Sequence, residues 1–321
     1  MRAWRGCVLG LALWVVTWAA CAQGFPTKPI RIVVPFAAGG VADLTARVVA
    51  QKLSESLGQP VRVDNKPGAG GVVAGDAVAK AEPDGYTLLL MSNGTAVSVG
   101  LFKALPFDTL RDFMPISTLG SFDIAIITGV NSRFGTLAEL IAFAKIHPGK
   151  LNLGTIHIGS TQNLAAELFK TAAGVDMQIV PFNGTPSVIS ALRGGQIDAA
   201  VEILGPVLTH INAKTLRALA ITGKQRSAAL PDLPTVSESG LGSYLVSSWN
   251  ALAAPAKTPR NVIDRLNQDI VAALNAPDVK MKLRELNVEA QSSSPAQASE
   301  LLASEIRRWN EVIVRAKLPV Q

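Results

Sequence analysis

The chain of 321 residues carries 30 Lys and Arg against 24 Asp and Glu, a formal charge of +6, with only 5% aromatic residues and two cysteines. A mild positive charge, without Lys/Arg clusters interleaved with aromatics, gives nucleic-acid binding no support. Both cysteines, Cys7 and Cys21, fall in the first 21 residues, which removes disulfides, thiolate metal sites and a cysteine nucleophile from the rest of the chain.

The start, "MRAWRGCVLGLALWVVTWAACAQG", has Arg2 and Arg5 before an apolar core from about Gly6 to Ala19, then small residues at Ala20 and Ala22. This is the pattern of a secretory signal peptide over residues 1–22, cleaved after Ala22, because the core is shorter than the roughly 20 apolar residues of a membrane span. A lipoprotein anchored through Cys21 is the alternative, and Trp18 stands where such a signal ordinarily has Leu. Cleavage lowers the formal charge from +6 to +4, a weakly positive field that suits small anions, and makes the periplasm the expected compartment. At about 300 residues the remaining chain buries roughly three quarters of its surface, usually as two domains.

From Ile30 onward, β-branched runs alternate with helical patterns, the signature of βαβ units and a parallel sheet covered on both faces. Strands are predicted at "IRIVVPF", "VRVDN", "YTLLLMS", "DIAIITG", "LNLGTI", "MQIVPF", "DAAVEI", "LRALAIT" and "SSWNALAAP". The first helix carries Leu44, Val48 or Val49, Leu53 and Leu57 on one stripe and stops at Gly58. Further helices are expected at "GVVAGDAVAKA", "TLAELIAFAKI", "STQNLAAELFKTAAG", "TPSVISALRGG", "TPRNVIDRLNQDIVAALN" and "SPAQASELLASEIRRWNEVIVRAK", the last opened by the cap and N1 proline Ser294-Pro295. Two β runs in looser surroundings, "SFDIAIITGV" and "YLVSSWNALAAP", are candidates for segments that cross between lobes. The predicted fold is α/β with two lobes and a cleft: residues 23–122 and 238–321 form one lobe, residues 123–237 the other.

Four loops at strand ends share one chemistry: Pro35 to Gly40, Ser92 to Thr95, His157 to Asn163 and Pro181 to Pro186. Three lead into a helix N-terminus, whose unpaired N–H groups and partial positive charge can hold a carboxylate without Arg or Lys. Glycine there allows close approach to the backbone. Any α/β protein has Gly/Ser/Asn-rich loops for turns and caps, so it is the four together that point to binding. Asp43, in the first turn of its helix, is expected to face back into the first loop and set its shape. Phe36 and Phe182, each beside a loop proline, fit either a core or a pocket wall.

Catalytic signatures are missing. The three histidines, His147, His157 and His210, have no metal-ligand spacing, and H-E-x-x-H, G-x-S-x-G, Walker A and G-x-G-x-x-G are absent. His157 and Ser160 stand on a strand-to-helix loop where they diverge, so Ser160 reads as a cap or ligand donor. Asp198 and Glu202 share one strand face; Asp198 reads as structural, and Glu202, at the strand end, as a partner for a ligand amine or hydroxyl.

The motifs "KPIRIVVPFAAGGVADLTAR", "VRVDNKPGAGGVVAGDAVAKAEPDGYTLLL", "LPFD", "GSTQNLAAELF", "PFNGTPSVISALRGGQIDA", "LRALAIT", "LPDLPTVSESG" and "WNALAAPAKTP" run in order over nearly the whole mature chain. They resemble the extracytoplasmic substrate-binding receptors of tripartite tricarboxylate transporters, the Bug receptors. The resemblance implies a type II periplasmic-binding-protein fold, a carboxylated solute, integral membrane transporter subunits as partners, a monomer, and no cofactor or metal. It implies that the loop with Phe36, Ala37, Ala38, Gly39, Gly40 and Ala42 grips a carboxylate, and that the loops with Ser160, Thr161 and Asn163 and with Asn183 and Gly184 close from the other lobe. The loop and strand-end reading above adds Asp43, Ser92, Asn93, Thr95, Phe182 and Glu202 to the candidate site. Ala42 replaces the family's Ser or Thr, Asn163 its common His, and Phe182-Asn183 its Tyr-Lys pair, while "SVGLF" lacks the preceding Asn-Pro, which implies an acid smaller or more apolar than citrate. Two alternatives stand beside transport: an exported hydrolase or lyase with Glu202 as base, and a sensory partner of a membrane receptor.

Overall fold

The computed structural model describes residues 24–242, 244–315 and 320; the leader expected over residues 1–22, with Cys7 and Cys21, lies outside them. The chain opens as alternating strands and helices: β1 (Ile30–Val34), α1 (Val41–Leu57), β2 (Val61–Asn65), a 3-10 turn at Ala69–Gly71, α2 (Val72–Ala79), β3 (Thr87–Ser92), α3 (Asn93–Leu101) and β4 (Phe113–Phe122). A second series follows: β5 (Ile124–Gly129), α4 (Leu137–Ile146), β6 (Asn152–Ile156), α5 (Thr161–Ala173), β7 (Gln178–Phe182), α6 (Thr185–Arg193), β8 (Ala199–Ile203), α7 (Leu204–Asn212) and β9 (Leu216–Ile221). The chain then returns as β10 (Ser248–Pro255), α8 (Arg260–Asn275), α9 (Pro277–Glu285), β11 (Val288–Ala290) and α10 (Pro295–Arg315).

The strands build two sheets, ordered β11-β4-β10-β3-β1-β2 and β7-β6-β8-β5-β9. Within them β1 lies parallel to β2 and β3, and β6 parallel to β7 and β8. Parallel strands buried on both faces read as the continuous apolar runs found at Ile32–Val34 and Leu88–Met91. Helix α1 buries Val41, Ala46, Val49, Ala50, Leu53 and Leu57 and ends at Gly58, whose φ of 64° is the left-handed cap glycine accepts most readily. Loops at the carboxyl ends of such strands are where open α/β sheets hold ligands.

Two differences from the sequence expectation fix how the layers join. The run "SFDIAIITGV" is not one crossing strand. The chain leaves the first sheet at Phe122 and enters the second at Ile124, with Asp123 alone between them. Strand β4 escapes prediction because Pro115 and Gly120 interrupt it. Pro115 is tolerated because β11 pairs only with Gly120–Phe122, leaving the start of β4 an edge on that side. Gly120 is required, since a Cβ there would stand 2.5 Å from the Glu289 carbonyl oxygen. On the return, Tyr244 Oη donates to Ala165 O and Val246 N to Thr222 O, both 2.8 Å. Tyr244 and Val246 thus bond to the second layer shortly before β10 joins the first sheet at Ser248.

Candidate functional site

Between the two sheets lies a cavity of about 50 Å³. The first sheet contributes Phe36, Ala37, Ala38, Gly40, Val41 and Ala42 from the loop into α1, Ser92 at the end of β3, Phe122, and Ser248 and Asn250 of β10. The second contributes Ile156, His157, Thr161 and Gln162 from the β6–α5 junction, Asn183, Gly184, Thr185 and Pro186 from the β7–α6 junction, and Ile203. Among the described residues no Lys, Arg, Asp or Glu lines it. Its positive potential comes instead from the first turns of α1, α5 and α6, each carrying free N–H groups and about half a positive charge.

Asp43 holds the first loop in shape. Its carboxylate is buried and accepts from Gly39 N at 2.9 Å, Asn65 Nδ2 at 2.9 Å and Arg47 Nε at 3.0 Å, and pairs with Arg47 Nη2 at 2.9 Å. Asn65 Nδ2 also donates to Phe36 O at 3.0 Å, so the end of β2 and the start of α1 grip the loop from both sides. Burial pushes the Asp43 carboxyl up, but the Arg47, Gly39 and Asn65 hydrogen bonds and the Arg47 charge outweigh it and hold the group below its ordinary value. Gly39 makes the turn at φ 87°.

The second and third loops are set by caps. Ser92 Oγ accepts from Gly94 N at 3.1 Å while Thr95 Oγ1 accepts from Ser92 N at 3.2 Å, a capping box that starts α3. Asn93 is buried, and its Nδ2 donates to Ser247 O at 2.7 Å, tying this corner to the returning crossing. Ser160 caps α5 by accepting from Asn163 N at 3.1 Å. Asn163 accepts from Gly159 N and donates to Thr155 Oγ1, both at 3.3 Å. His157 stacks on Phe36 with ring centroids 5.6 Å apart, one ring from each layer, and burial holds its pKa below the ordinary imidazole value. Beside it the backbones of the two layers touch: a Cβ on Gly159 would lie 3.3 Å from Gly70 Cα, and one on Gly94 3.4 Å from Gly159 O.

Several buried polar atoms of the wall lack a hydrogen-bond partner, namely His157 Nε2, Gln162 Nε2 and Asn250 Oδ1. Unpaired polar atoms at a cavity are where a bound molecule gains most. Behind the wall sits Glu202, fully buried, its Oε2 accepting from Thr185 Oγ1 at 3.0 Å and from Ile203 N at 3.3 Å. Burial pushes its carboxyl up to about 7, against the opposing effect of Thr185, Gln162 and Ile203. The Gln162 amide neighbours this carboxyl, yet Gln162 Nε2 and Glu202 Oε1 complete no hydrogen bond in this conformation.

The family model described as tripartite tricarboxylate transporter family receptor matches residues 45–318. The chain belongs to that family. The receptor is 37% identical over 294 residues to protein BugT of Bordetella pertussis, covering 91% of this chain and 90% of that one. It superimposes on the periplasmic binding protein BugD with a TM-score of 0.87 at 31% identity, covering 92% of this chain and 100% of that chain. MatC from Rhodopseudomonas palustris with bound malate superimposes with a TM-score of 0.85 at 31% identity, covering 90% and 100%. These neighbours are two-lobed solute-binding receptors and not enzymes, and the two sheets of this chain are the same two-lobed arrangement.

Of the residues expected in the site, Phe36, Ala37, Ala38, Gly40, Ala42, Ser92, Thr161, Asn183 and Gly184 line the receptor's cavity. Asp43, Asn93, Thr95, Ser160 and Asn163 stand one layer behind, shaping the loops by the bonds above, and Gly39 lies exposed at the turn of the first loop. Phe182 packs partly buried on the small apolar cluster beneath α6. Glu202 has no surface in the cavity, so it touches neither a ligand amine nor a reacting group. Gln162 and Thr185 were missed although they stand inside the recognised loops. Ser248 and Asn250 were missed on β10, where two polar residues in an apolar buried strand are the signal that finds them.

Proposed function

We propose that this receptor captures a small carboxylate in the periplasm and, closed around it, delivers it as a monomer to integral membrane transporter subunits. The observation that carries this reading is the cavity wall itself: three helix N-termini, several hydroxyl and amide side chains, and no charged side chain. Such a wall stabilises an anion through backbone dipoles and rejects a cation, which would meet only positive helix ends. The backbone of Ala37 to Ala42 grips one carboxylate, while Ser92, Thr161, Asn183, Thr185 and Ser248 supply hydroxyl and amide partners. Asp43, Asn93, Thr95, Ser160 and Asn163 serve by holding these loops. The lobes, residues 23–122 with the C-terminal third and the stretch between, close about Asp123 and Ser247. MatC, bound to malate, supports a dicarboxylate of that size.

A thermal-shift panel of mono-, di- and tricarboxylates against neutral sugars and amides tests the reading. A ligand at 100 times its Kd adds about 2.7 kcal/mol of stability. A shift from an acid is the expected result; a shift from sugars or amides with none from any acid removes the anion reading.

A further inference from the structure

Glu202 is the one ionisable group adjoining the cavity wall that the capture of an anion does not obviously use. It sits at the end of β8, beneath two residues that line the cavity from different helices, Thr185 at the start of α6 and Gln162 at the start of α5. One of its oxygens holds the Thr185 hydroxyl proton at 3.0 Å. The other has no partner, and neither does the Gln162 amide nitrogen beside it. As a carboxylate, Glu202 draws the Thr185 proton away from the cavity and sets a negative charge behind a site built for a negative solute. As a carboxylic acid it does the opposite. Its own O–H donates to Thr185 Oγ1, which frees the Thr185 proton to turn toward the solute, while the Gln162 amide, unpaired in either case, stays available at the wall.

Resting on the reading of the cavity as a carboxylate site, we propose that Glu202 is a positioning residue whose carboxyl takes up one proton from solvent as the solute anion binds. The proton goes onto a Glu202 oxygen, the Thr185 O–H switches its acceptor from Glu202 to a solute oxygen, and no other bond changes. Net charge then enters the buried site only once. Ionised, Glu202 and the solute compete for the Thr185 proton; neutral, Glu202 adds its own proton to the chain that ends on the solute.

No other charge contends for this role. Asp123, before the partner strand β5, His157 after β6, Glu167 and Lys170 on α5, Arg193 on α6 and His210 on α7 exert no charge interaction on Glu202, and burial disfavours the charged form of His157. The carboxyl of the empty protein titrates at about 7. Solute affinity therefore falls as the pH rises through that value, because binding must first restore the proton. With full linkage the loss between pH 6 and pH 8 is about tenfold, and uptake at pH 7 is about half a proton per solute.

Isothermal titration with malate at pH 6, 7 and 8, each in two buffers of different protonation enthalpy, tests this on the wild-type chain and on Glu202→Gln. Succinate, glutarate and citrate are titrated likewise if malate gives no heat. The expected result is a wild-type affinity that drops about tenfold across the range with buffer-dependent heats, and a loss of both effects in Glu202→Gln. Wild-type affinity that is flat with pH, with equal heats in the two buffers, overturns the proposal and leaves carboxylate capture standing. Binding of none of the four acids at pH 6, where Glu202 is neutral, overturns the carboxylate reading and the proposal together. The wild-type buffer comparison decides the question even if the variant does not fold.

Discussion

Replacing Asp43 by Ala removes a single carboxylate that four donor contacts share. Of the donors, the Asn65 amide keeps its bond to Phe36 O and Gly39 lies in an exposed part of the loop that water reaches, so the two lost bonds cost about 1 kcal/mol each, the low end for a stranded donor. The third partner, Arg47, has a side chain 47% exposed and returns to water, so breaking the ion pair adds little. The expected destabilisation is about 2 kcal/mol, above the roughly 1 kcal/mol of an ordinary lost cap. With an unfolding entropy of roughly 0.6 kcal/mol/K for about 290 ordered residues, the melting temperature falls by about 3 °C. Because the folded Asp43 has a lowered pKa, its contribution is full at neutral pH and fades only as the pH drops below 3.8 toward the lowered value. Melting curves at pH 7 and pH 3.5, paired with malate titration, read both quantities. Weaker malate binding should accompany the lower melting temperature. A shift under 1 °C at pH 7 would refute the bracing role, and tighter carboxylate binding would mean that Asp43 faces the solute.

Glu202→Gln should stabilise the empty protein in a pH-dependent way. The folded carboxyl is raised from 4.5 to about 7, so its favourable proton is lost as the pH climbs, and the gain from Gln grows from under about 1 kcal/mol at pH 5 to about 3 kcal/mol at pH 8; equal gains at both values in urea titrations would contradict the burial argument. Gly159→Val meets Gly70 Cα at 3.3 Å and forces a branched residue to φ 80°, so malate binding should be lost while circular dichroism still reports a folded chain; unaltered affinity would mean that the glycine contact plays no part in closure. Trp249, buried on β10 between cavity residues Ser248 and Asn250, should change its emission on malate binding while small-angle scattering records a smaller radius; no change in either at saturation argues for a rigid site.

Much of this architecture is legible in the residues because local and tertiary preferences agree. Ile32–Val34 and Leu88–Met91 are apolar runs that a doubly covered strand explains, and Leu53, Leu57 and Gly58 mark the stripe and stop of α1. Strand β4 was hidden because Pro115 and Gly120 are local strand breakers, licensed by an edge and by the close approach of Glu289 that appear only in three dimensions. The loops of the site were found from their composition, but composition does not say which residue of a loop faces the cavity. Ser160 and Asn163 look like ligand donors and act as caps, whereas Thr161 and Gln162 between them line the wall. Asn250 comes from a crossing strand distant in sequence from every loop, and its place is set by the return of the chain at Ser247.

Capture of a carboxylate is tested most directly by native mass spectrometry of the receptor purified without added ligand, followed by release and identification of what it carries. One small carboxylic acid per chain is the predicted result. A neutral sugar, an amide or a basic amine in the cleft at the same stoichiometry would contradict it.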